Sequence, residues 1–77
     1  MDPIRELLIL WKVSNDMREA AGQLGTSPSY HDLAKAIGWI DYRIEQLAEA
    51  AGFPRANMVN RAMFQQWIGT LLAPPAS

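Results

Sequence analysis

Cysteine is absent from the 77 residues. Disulfide staples and thiolate metal ligands are therefore excluded, and packing or self-association must hold the fold. Histidine occurs once, at His31, just after a Ser-Pro loop where such side chains are usually solvated. No second imidazole joins it for a metal, no glycine-rich loop is present to cradle phosphates, and no nucleophile stands beside an identifiable base. Asp41 and Glu45, four residues apart, read as a solvated acidic face. This inventory points to a protein that is not an enzyme, with no metal, no cofactor and no small-molecule substrate.

Charge is also scarce. With 19% charged residues, a formal net charge of −1 and a pI of about 5.6, the chain has no overall field to draw nucleic acid, so any DNA contact must come from a local patch. Hydrophobic runs are short: "LLIL" followed by Trp11 is far below the length that spans a bilayer, and Asp2, Arg5 and Glu6 before it do not make a basic leader. A soluble cytoplasmic protein without a membrane partner is the expectation. Alternation of period two is missing throughout, which argues against strands.

What is present is apolar content, 49% of the residues, in a chain near the lower limit for a single core. The pattern predicts one compact all-α domain of four helices over residues 1–77, with a short tail at 73–77. Asp2 as N-cap and Pro3 at the first helical position open a helix over 3–24, which Gly25 stops. "GTSPSYHD" is a loop, after which Ser29 caps a second helix over 29–37, with Asp32 three residues on, and Gly38 ends it. Asp41 opens a third, 41–51, in which Ile44, Leu47, Ala48 and Ala51 recur at helical spacing before Gly52. Pro54 starts a fourth, 55–72, ended by Pro74 and Pro75.

Two of these helices carry more apolar surface than one core contact needs. The first has a stripe at Leu10, Val13, Met17, Ala20, Ala21 and Leu24, with Ile4, Leu7, Leu8 and Trp11 on neighbouring faces. In the fourth, Met58, Val59, Ala62 and Met63 cluster on one side while Phe64, Trp67, Ile68 and Leu71 fall on the other. The apolar face thus crosses near residue 64: either the helix breaks there or near Gly69, or its halves pack on different partners. The surplus marks Leu7, Leu8, Trp11, Phe64, Trp67, Ile68 and Leu71 as candidate protein-interface residues and predicts a homodimer through the first helix or the end of the fourth.

Residues 33–60 hold a 14-residue repeat. Leu33, Ala34, Ala36 and Gly38 are answered by Leu47, Ala48, Ala50 and Gly52, and an aromatic follows each glycine, Trp39 and then Phe53. A small residue, a glycine four positions on, an apolar residue next and another at the tenth position make the pattern of a helix-turn-helix, in which a tight turn lets two helices cross closely. Both halves satisfy it, through Ala34, Gly38, Trp39 and Ile44, and again through Ala48, Gly52, Phe53 and Met58. Over these roughly twenty residues the chain resembles the helix-turn-helix of lac-repressor-type and phage-repressor regulators. That resemblance implies a helix-turn-helix core and a small dimeric DNA-binding transcriptional regulator. The plain alternative is a helical bundle with glycine stops.

The two registers differ in charge. The first would present Asp41, Glu45 and Glu49 to phosphates, which repel them. The second offers Arg55, Asn57, Asn60 and Arg61 for base edges and phosphate, with Lys35 or Arg43 on the DNA backbone; its Arg61 stands where an apolar residue is usual. Residues 26–52 sum to −2, whereas residues 53–77 carry Arg55 and Arg61 and no acid, a net +2. A rival function is a small helical protein-binding module of the phage or mobile-element kind, an inhibitor, adaptor or anti-activator. Its support is the three tryptophans and four methionines, which suit an anchored apolar contact. Trp67 is then the best anchor, with Trp39 expected in the core behind its turn glycine.

Overall fold

The computed structural model describes residues 2–72. The expected tail, 73–77, with Pro74 and Pro75, lies outside the described residues, as does the side chain of Arg55. Among the described residues the chain is all-helical: α1 (Pro3–Leu24), α2 (Pro28–Ala50), a 3-10 turn (Arg55–Val59) and α3 (Arg61–Leu72). Three α-helices are formed where four were expected.

α1 begins as its sequence predicts. The Asp2 carboxylate accepts from the Ile4 backbone N–H at 3.0 Å, Pro3 fills the first helical position, and Gly25, at φ 60°, ends the helix. The cap of α2 is Ser27 rather than Ser29; its hydroxyl accepts from the Ser29 N–H at 3.2 Å, with Pro28 at the first position.

The expected second and third helices, 29–37 and 41–51, are one. α2 runs straight through Gly38 and Trp39, so the turn that the first helix-turn-helix register needs is not formed. A glycine inside a helix costs only about 1 kcal/mol, and the packing against α1 outweighs it. Leu7, Ser14 and Ala21 of α1, seven residues apart, face Ile37 and Ile44 of α2, also seven apart, along the buried line between the two antiparallel helices. Asp41, expected to open a helix, instead accepts the hydroxyl proton of fully buried Ser14 at 2.7 Å and pairs with Arg18. A bend at Gly38 would pull both halves of this seam apart.

Gly38 and Gly52 therefore answer to opposite rules. A Cβ at Gly38 meets no atom within 4 Å, and its backbone is helical; Gly38→Ala is expected to raise stability by about 0.5–1 kcal/mol. Gly52 has φ +102° and makes the real turn, so Gly52→Ala is expected to lose about 1–3 kcal/mol. Thermal melts of both variants by circular dichroism test the pair, and a loss at Gly38 would argue for a turn there.

The expected helix over 55–72 is also divided. Residues 55–59 form the 3-10 turn, Asn60 is extended, and α3 starts at Arg61. The Asn60 side chain accepts from the Met63 N–H at 3.1 Å and so caps α3. Met58 and Phe64, six residues apart, would lie about 120° apart on one straight helix, too far to share one buried face. The break at Asn60, four residues before the expected crossing point, lets both reach the core. α3 then lays Phe64, Trp67, Ile68 and Leu71 on the lower half of the hairpin, where Leu7, Ile44, Leu47, Ala48 and Phe53 complete the buried cluster. Phe64 is its hub, with ring centroids 5.1 Å from Trp11 and 5.2 Å from Phe53.

Candidate protein-interaction face

α3, at 12 residues, is about half as long as α2, at 23, and it covers one side of the hairpin only. That side is marked by Trp11, Arg18, Asp41 and Arg61, which border a common cleft with Phe64 and Met58. Beyond α3 on the same side an open groove of about 390 Å³ lies over Ala21, Gly22, Ala34 and Ile37, where small residues leave space between the helices.

On the opposite side, here called the back of the hairpin, no element among the described residues is packed. At 100° per residue the back carries Leu10, Val13, Met17 and Leu24 of α1 and Leu33, Ala36, Trp39 and Ile40 of α2. Ile9 and Ala20 border it along the outer edge of α1. Glu6 and Arg43 pair across it at 3.5 Å, near the end that holds the chain's N-terminus. Ile9, Val13, Leu24 and Trp39 are all exposed large hydrophobics, and Trp39 is the extreme among these four at 76%. The result is an apolar strip across two helices, with the Glu6–Arg43 pair toward one end and exposed Asp32, in line with Trp39, toward the other, the anatomy of a protein contact surface.

Trp39 was expected in the core, and that expectation is corrected. Without a turn at Gly38 the residue lies well over a quarter-turn from Ile37 and Ile44 and projects into solvent. The stripe on the first helix is likewise displaced: the helix contact centres on Leu7, Ser14 and Ala21, leaving Val13, Ala20 and Leu24 outside. A single helical wheel drawn over residues 28–50 would have shown Trp39 away from the seam.

The seven apolar residues proposed as an interface have their surface taken up within the chain. Leu7, Phe64 and Ile68 are buried, and Leu8, Trp11, Trp67 and Leu71 pack against them half-buried. Of the residues proposed for DNA, Arg61 lies over the Trp11 ring at 4.8 Å and donates to the Asn15 side chain at 2.7 Å. Asn60 caps α3, and Asn57 is half-buried in the 3-10 turn. Arg43, paired with Glu6, lies across the seam from Arg61, and Lys35 is exposed on the outer edge of α2. The structure thus brings Asn57, Asn60 and Arg61 together, and holds Lys35 and Arg43 apart from them.

Among the described residues no group of three or more His, Asp or Glu could hold a metal ion. No described helix is long and apolar enough to cross a membrane. The class that these elements define is a long α-helical hairpin with a short third helix across one side. No protein-family model, curated protein or solved structure matches the chain.

Proposed function

We propose that the chain is a small helical protein-binding module that presents the back of its α1–α2 hairpin to another polypeptide. The observation that carries this reading is Trp39, a large aromatic left in water on a helix, on the same side of the hairpin as exposed Val13 and Leu24. Tryptophan in such a setting supplies contact area at little conformational cost and is enriched among residues that dominate binding energy. The charge-poor composition, which gives weak electrostatic steering, suits an apolar contact.

The second reading is a small dimeric helix-turn-helix regulator, and it has an observation of its own. In the second register Ala48 and Phe53 are buried, Met58 is half-buried, and Gly52 turns the chain at positive φ, as a helix-turn-helix requires. Against it, Arg55 and Asn57 fall in a 3-10 turn where a recognition helix should present its first residues.

Capture of binding partners from a host lysate by the whole chain separates the two. The expected result is recovery of a polypeptide, whether a host protein or further copies of the chain, reduced at least about thirtyfold in affinity by Trp39→Ala. Recovery of DNA that survives Trp39→Ala, is lost with Arg55→Ala/Arg61→Ala and weakens steeply with salt would overturn the protein-binding reading.

A further inference from the structure

We draw no further inference here: the strongest candidate, the apolar strip on the back of the α1–α2 hairpin around Val13, Leu24 and Trp39, belongs to the face already described, and nothing in the structure shows what covers it.

Discussion

Phe64→Ala is expected to abolish the cooperative fold or leave it barely stable. Truncating a buried phenylalanine to alanine costs about 3–5 kcal/mol, and 77 residues command roughly 4–12 kcal/mol in all. Phe64 touches Trp11 from α1, Phe53 from the turn after α2 and Trp67 from its own helix, with centroids at 5.1, 5.2 and 5.8 Å. Its ring is the point at which three segments of the chain meet, and Ile68, Trp67 and Leu71 pack around the same cluster, so the cavity left by its loss loosens every apolar contact of α3 with the hairpin. Urea titration followed by tryptophan fluorescence reads the result, because Trp11 and Trp67 lie in the cluster while Trp39 is already in water. A midpoint within about 1 kcal/mol of wild type would show that the cluster contributes little.

Asp41→Ala is the second large effect. Ser14 is fully buried and its hydroxyl donates to Asp41, while Arg18 pairs with the other carboxylate oxygen. Removing the acceptor leaves a hydroxyl in an apolar seam without a partner, a loss of about 1–3 kcal/mol. The exposed Arg18 adds little, since its charge returns to water. Ser14→Ala alone removes the buried donor, leaves Asp41 its Arg18 partner, and should cost about 1 kcal/mol. In the double variant no orphan remains, so the two losses should be less than additive by at least about 0.5 kcal/mol. Strict additivity in that cycle would mean that the bond contributes nothing to the fold. Ser14 and Asp41 also set the height at which the two helices meet, because a shift by one turn would bury the hydroxyl against leucine or isoleucine.

Local signals in the sequence led to the right structure where the chain's ends and turns are decided locally. Asp2 with Pro3 opens a helix and Gly25 closes it because capping hydrogen bonds and φ preferences involve only a few neighbouring residues. Gly52 is legible for the same reason. Gly38 carried the same local signal and misled, because what keeps α2 straight is the packing of Ile37 and Ile44 on Ser14 and Ala21, contacts that no short window contains. Once the helix is continuous the 14-residue repeat has a plain geometric meaning: 14 residues are close to four full turns, so Leu33 and Leu47 return to nearly the same side. Half of the repeat thus writes a seam, and only its second glycine writes a turn. The crossing of the apolar face near residue 64 was a sound sign of a break, and Asn60 supplied it because its amide can cap the next helix. The candidate face was hidden behind the mistaken turn, since Trp39 could be placed outside the core only after residues 28–50 were put on one helix.

The small side chains of the upper seam have a consequence for how the molecule opens. Near the termini the hairpin is pinned by aromatic rings and by α3, but from Ala21 and Gly22 to Ala34 the helices meet through residues that bury little area and leave a groove between them. Free energy of opening therefore falls along the 47 Å length of the molecule, from near the global value beside Phe64 toward little at the Gly25–Ser27 bend. Such a gradient lets the helical turns beside the bend fray and re-form, held together by the three-residue link, while the base stays shut, and whatever lies along the back meets a surface that is rigid at one end and compliant at the other.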